Sequence, residues 1–443
     1  MSAFGCPTGQ RHVGSLPTTS LARNQADLPL DDIVDPAVLS TFESAFKPGS
    51  LPATLSGLSL KSYTRHMLSS FGRLGEIFTK VCPENYKTRR PSWYLASAAA
   101  LQSHISAQPH FSLQTTAAHL REQELLEPSQ VADDDATTNH LHHFYVFCLV
   151  GISAHLFQPS AKGQHVHDIF IIEDCVPGSI HRCWSILSNK IMMRDPETPV
   201  SMLIRGFGEL SPVMDRDQRT YQTKTPTLRA DRFDARLFCS VLKMKIAWTD
   251  ILNTHLDYDA DNNTLFLFRH ATFCAMNATF SKTDRGNTSI WQSCIDLDGP
   301  DDGESDYPKD LMCEIMLSLY MIFGQEAHSR KYFSAHKAFE GWPQADLDPL
   351  LAIICRGQWP FPNSTSEPKP VYYLGRDFPL MQAKIDFLND VIAHKEPKSL
   401  AQLWRDKRNT AQWYTFWAVI FYGTLGLLLA VAQLTTSIVA LYK

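Results

Sequence analysis

Two histidines one residue apart, His165 and His167, are followed by Cys175, His181 and Cys183. Imidazole nitrogen and thiolate sulfur are the donors that zinc takes. On a strand His165 and His167 would share a face, so His165, His167, His181 and Cys183 form one candidate metal set. No pair among them has the C-x2–4-C or H-x3–5-H spacing of a zinc finger. With 17 histidines in the chain, a local cluster also arises easily by chance.

Asp257, Asp259 and Asp261 repeat the first half of a calcium loop. Asn262 stands where such a loop needs glycine and Phe268 where it needs glutamate, so a solvated turn is expected there. Gly151 and Ser153 start a G-x-S-x-G elbow, but His155 takes the place of the second glycine. Phosphate-cradling glycine loops, H-E-x-x-H and C-x-x-C are all missing from the sequence. No catalytic residue and no cofactor is therefore expected.

Whatever these residues do, the last stretch of the chain decides where. No charged residue lies between Arg408 and Lys443. Trp413 to Leu434 alone would extend about 33 Å as a helix, enough for a bilayer core of about 30 Å. Arg405, Lys407 and Arg408 precede this run and Lys443 follows it, which predicts a body on the cytosolic side. Trp413, Tyr414 and Trp417 suit the interfacial belt on that side. The expectation is a single-pass, tail-anchored protein with membrane lipid as its first partner. A Gly426–Ala430 pair permits close approach of a second helix, so self-association or a protein partner is also expected.

The net charge of −5 and the lack of a dense basic patch outside the juxtamembrane segment argue against nucleic acid. Ten cysteines scattered without short spacing read as buried thiols of a reducing compartment. Four N-x-[ST] sequons, at Asn262, Asn277, Asn287 and Asn363, would stay unmodified in the cytosol.

The patterns predict an α+β fold: a helical N-terminal part, a mixed strand–helix middle part and a single C-terminal transmembrane helix. Residues 1–30 are polar and read as disordered, 31–130 as helical, 131–400 as the mixed domain, and 401–443 as juxtamembrane segment and anchor. Ser62 to Val81 repeats Met67, Phe71, Leu74 and Phe78 on one helical face. The uncharged run FYVFCLVGISAHLF is too short to span and carries His155, with His140, His142 and His143 just before it, so it reads as buried core. Trp184 to Met193 reads as a short helix. Phe238 to Trp248 reads as a buried strand, His255 to Arg269 as a hairpin, and Ala271 to Phe280 as an extension of its sheet. Pro308 to Phe323 and Phe378 to Ile392 read as helices, and Ser399 with Gln402 as a capping box opening another.

Residues 245–275 and 371–429, with W-R-D-x-R at 404–408 followed by W-Y-T-F-W at 413–417, resemble a group of uncharacterised filamentous-fungal proteins. The resemblance covers the C-terminal half and implies a fungal membrane-anchored protein. It transfers no catalytic residue. The expected function is a cytosolic interaction or scaffold body on a tail anchor. The alternative is a membrane-tethered enzyme with a metal-dependent site.

Overall fold

A computed structural model describes residues 30–46, 53–72, 77–127, 135–159, 168–172, 190–192, 196–205, 227–278, 289–295, 307–334, 347–361, 367–395 and 410–441. The chain is α+β, and one cluster of buried apolar side chains runs through the body from Leu30 to Ile392. Helices Pro36–Phe46, Ala53–Gly72, Arg90–Ala107 and Leu113–Glu122 build the N-terminal part. The predicted stripe holds in part: Met67 and Phe71 are fully buried on the helix, which ends at Gly72; Leu74 lies outside the described residues, and buried Phe78 sits on a separate 3-10 turn, Ile77–Lys80. Arg90–Ala107 starts on Pro91, whose missing N–H costs nothing in a first turn. Leu113–Glu122 opens on a capping box of Ser112 with Thr115.

The uncharged run forms the helix Asp135–Ala154, buried along its apolar length as expected. Tyr145 stacks on Trp93 with ring centres 4.6 Å apart, and Phe147 stacks on Phe157 at 4.5 Å. Gly151 makes the second contact possible, because a Cβ there would run into the Phe157 ring.

Among the described residues the strands form three small sheets. In one, β1 (Gln158–Pro159), β2 (Asp168–Ile172) and β3 (Lys190–Met192) pair antiparallel. The helix expected over Trp184–Met193 is thus corrected to a strand in its described part, where Lys190 pairs with Phe170. In the second, β4 (Thr227–Arg229) pairs with β8 (Val371–Tyr373).

The third sheet positions the site. The predicted hairpin is present, with β6 (Tyr258–Asp259) antiparallel to β7 (Thr264–Phe268). β7 also pairs in parallel with β5 (Lys245–Thr249), in register from Lys245–Thr264 to Thr249–Phe268. The strand expected across Phe238–Trp248 divides into a π-helical turn, Leu237–Val241, and β5. Ala271–Asn277 is a helix, not a further strand. Its N-terminus is fixed by Asp348, whose carboxylate accepts from the Thr272 N–H and hydroxyl, each at 2.7 Å. Asp348 also caps the helix Pro349–Cys355.

The expected helices near the end of the body are present as Tyr307–Leu319, continued by the π-helical turn Tyr320–Gly324, and as Gln382–His394. Buried Glu314 accepts from the N–H groups of Leu380 and Met381 and so holds the second helix by its N-terminus. The residues 399–402 expected to cap another helix lie outside the described residues. The C-terminal helix, Thr410–Leu441, contains an apolar stretch, Trp413–Leu441, long enough to cross a membrane.

Candidate functional site

Because β5 and β7 run in parallel, their carboxyl ends lie at one edge of the sheet. Asp250 leaves β5 there, and Arg269 and His270 leave β7 beside it. The Arg269 N–H donates to the Thr249 carbonyl at 3.2 Å, which extends the ladder one step. Open parallel sheets place ligands at this edge, where side chains from adjacent strands converge.

Asp250 is the hub. Its Oδ1 accepts from His270 Nε2 at 2.7 Å and pairs with Arg269 Nε. Its backbone carbonyl accepts from His155 Nδ1 at 3.0 Å. His155 follows the helix Asp135–Ala154 and takes a left-handed backbone, φ 52°. Such a conformation costs a β-carbon residue on the order of 1 kcal/mol and recurs where geometry is put to use. The Leu252 N–H fixes it by donating to the His155 carbonyl at 2.9 Å.

The third histidine comes from the helix Ala53–Gly72. The His66 ring centre lies 4.0 Å from that of His270 and 5.2 Å from that of His155. The His66, His155 and His270 rings each offer one nitrogen, all within 4.8 Å of one another. Phe273, Phe268 and Tyr63 wall the His155 ring at 4.6, 5.5 and 5.9 Å. Its Nε2 is buried and has no hydrogen-bond partner.

Burial pushes the basicity of all three rings down, and their mutual repulsion adds to this at His66 and His155. The rings are thus neutral near pH 7 and keep a lone pair. Burial works the other way on Asp250, favouring its protonated form. The hydrogen bond from His270 and the Arg269 charge, with the His66 ring close by, outweigh it and hold the carboxyl well below the usual range.

Of the sequence-level metal candidates, His165, His167, His181 and Cys183 lie outside the described residues. The incomplete elbow motif is no elbow: Gly151 and Ser153 sit within a helix, whereas a nucleophile elbow needs a strand-to-helix turn. The calcium-like loop is an Asx turn, as expected. Asp259 Oδ1 accepts from Asp261 N at 2.9 Å and Asn262 N at 3.2 Å, and Asp257 pairs with Lys384 at 2.9 Å. A serine–histidine contact, His255 Nε2 to Ser318 Oγ at 2.7 Å, is fully buried. Ser318 already donates to the Ile315 carbonyl, so its hydroxyl is not poised as a nucleophile.

Trp413, Tyr414 and Trp417 occupy the first turns of the C-terminal helix, with Trp413 and Trp417 ring centres 5.9 Å apart. Arg405, Lys407 and Arg408 lie outside the described residues. Comparison with family models, curated proteins and solved structures finds no match. The class is therefore defined by the molecule itself. It is an α+β protein with a three-histidine cluster at a parallel strand edge and a C-terminal helix long and apolar enough to cross a membrane.

Proposed function

We propose that this is a membrane-anchored protein that crosses the bilayer once through Trp413–Leu441 and keeps its body at the cytosolic face. The observation that carries this reading is the helix itself. Its apolar stretch has 29 residues, and no residue in its most apolar part is buried in the body. At about 1.5 Å per residue it extends roughly 43 Å, which suits the hydrocarbon core and both headgroup layers. Left in water, Leu427, Leu428 and Leu434 would each stay more than 60% exposed.

Polar side chains in the helix are compatible with lipid because they bond within it. Thr424 donates to Ile420 O at 2.9 Å, Thr435 to Val431 O at 3.1 Å and Ser437 to Gln433 O at 2.9 Å. The orientation is supported by the basic residues 405, 407 and 408 before the span. Protease added to sealed microsomes tests it. The expected outcome is digestion of the body and survival of a fragment containing 413–441. A protected body, or a glycan on Asn262, Asn277, Asn287 or Asn363, contradicts the orientation.

A further inference from the structure

We infer that His66, His155 and His270 bind one divalent transition-metal ion of the zinc class through three imidazole nitrogens, with water in the fourth position. The inference is independent of the anchoring reading. Three neutral imidazoles suit zinc and its neighbours, whereas magnesium and calcium require oxygen ligands.

Hydrogen bonds settle which nitrogen keeps its lone pair in two of the three rings. His155 spends its Nδ1–H on the Asp250 carbonyl, so its second nitrogen, Nε2, is the acceptor that is buried and unpartnered. His155 is only 3% exposed, too enclosed for bulk water to satisfy that atom. His270 spends Nε2–H on the Asp250 carboxylate, which leaves Nδ1 as its donor atom to a metal. A carboxylate or carbonyl behind each ligating imidazole fixes the tautomer and raises ligand basicity, and here one residue supplies both. At His66, the contacts from Arg269 Nη2 at 3.5 Å and to Ser70 Oγ at 3.4 Å are at the long limit of hydrogen bonding.

Size and charge also fit. Three nitrogens around zinc at about 2.0–2.1 Å stand roughly 3.3 Å apart, so the observed spread of up to 4.8 Å would contract by roughly 1.5 Å on binding. Arg269 would oppose a cation, but it is paired with Asp250, and the two charges cancel. The Asp250 side chain is 25% exposed, which leaves an approach from solvent on that side. A structural salt bridge between Asp250 and Arg269 needs neither the strained His155 nor a third histidine from a distant helix. Three protein ligands with an open fourth position are the arrangement of catalytic zinc, so a filled site would move the body from scaffold toward enzyme.

The test uses full-length protein in detergent micelles, stripped of metal, loaded with Zn2+ or Co2+, washed, and assayed for bound metal. The expected result is one ion per chain and a cobalt spectrum without a thiolate charge-transfer band. His155→Gln and His270→Gln lose the ion, and Asp250→Asn holds it about 10–100-fold more weakly. The double variant His165→Gln/His167→Gln keeps it. Wild-type protein that retains no zinc overturns the inference, as does a thiolate band. So does an ion kept by His155→Gln or His270→Gln, or lost from the His165/His167 variant. If circular dichroism shows that His155→Gln does not fold, wild-type stoichiometry and the cobalt spectrum decide alone.

Discussion

Asp135–Ala154 and Thr410–Leu441 are both apolar helices without a charge in their apolar stretches, and they end in opposite environments. The first places Tyr145, Phe147, Cys148 and Leu149 at 0% exposure, while the second leaves Leu427 and Leu428 at 67%. Length and mean hydropathy already separate them, since among the described helices only the second is long and apolar enough to cross a membrane. Shape and polar decoration point the same way. The buried helix carries a notch at Gly151 filled by the Phe157 ring, stacked aromatics, and histidines that lead into the metal-ligand candidate His155. The terminal helix has open space at Gly423 and Gly426, and its hydroxyls bond to its own backbone. A helix whose surface fits other side chains is buried in the body, whereas an uncovered apolar one of this length is a candidate for lipid.

The sharpest way to break this comparison is to put one charge in each helix. Phe147→Asp buries an unpaired carboxylate and should cost about 5 kcal/mol or more, unfolding the body as read by circular dichroism. A soluble, cooperatively melting Phe147→Asp variant would mean that this helix is not core. Leu428→Arg should instead leave the melting of the body unchanged and disfavour insertion by about 2.5–3.5 kcal/mol, seen as partial loss from the membrane fraction. Gly151→Ala should cost about 1–3 kcal/mol in thermal stability through its clash with Phe157, and an unchanged melting temperature would deny the notch.

Histidines on the buried helix sharpen the contrast through pH. Burial, with Arg121 nearby, pushes His142 and His143 down to about 4. Above about pH 6.5 both are neutral folded and unfolded, and they make no pH-dependent contribution. As pH falls from there toward 4, the unfolded chain takes up protons that the folded chain refuses, so stability should fall. Thermal melts across that window check the sign, and constant or rising stability contradicts it. The smallest effect is expected at Thr435→Val, within about 0.5 kcal/mol, because its hydroxyl serves only its own helix. A large change in membrane retention there would reveal a polar partner.

Much of the fold could be read from local pattern. The Asp259–Asn263 turn between apolar runs announced the β6–β7 hairpin, and the spacing of Ile385, Leu388 and Ile392 announced the helix Gln382–His394. Ala271–Asn277 misled because all seven residues are buried, so no amphipathic period marks it as a helix. The parallel β5–β7 pairing leaves no local trace, since such pairs need no shared turn. The histidine cluster was illegible for the same reason: His66 and Arg269 are 203 residues apart, and His155 and Asp250 are 95 apart. The available hints were a histidine ending an apolar helix and an Arg–His pair ending an apolar strand. Neither has a motif spacing, whereas the histidine and cysteine closest together in sequence, His181 and Cys183, lie within 165–183.

The central claim is that the terminal helix alone is solvated by lipid while everything packed around Asp135–Ala154 is solvated by protein. Alkaline carbonate extraction of membranes carrying the full chain, beside a chain lacking residues 409–443, tests it most directly. The account predicts the full chain in the pellet and the shortened one in the supernatant, folded and melting cooperatively. A full chain released by carbonate, or a shortened chain that stays with the membrane, would contradict it.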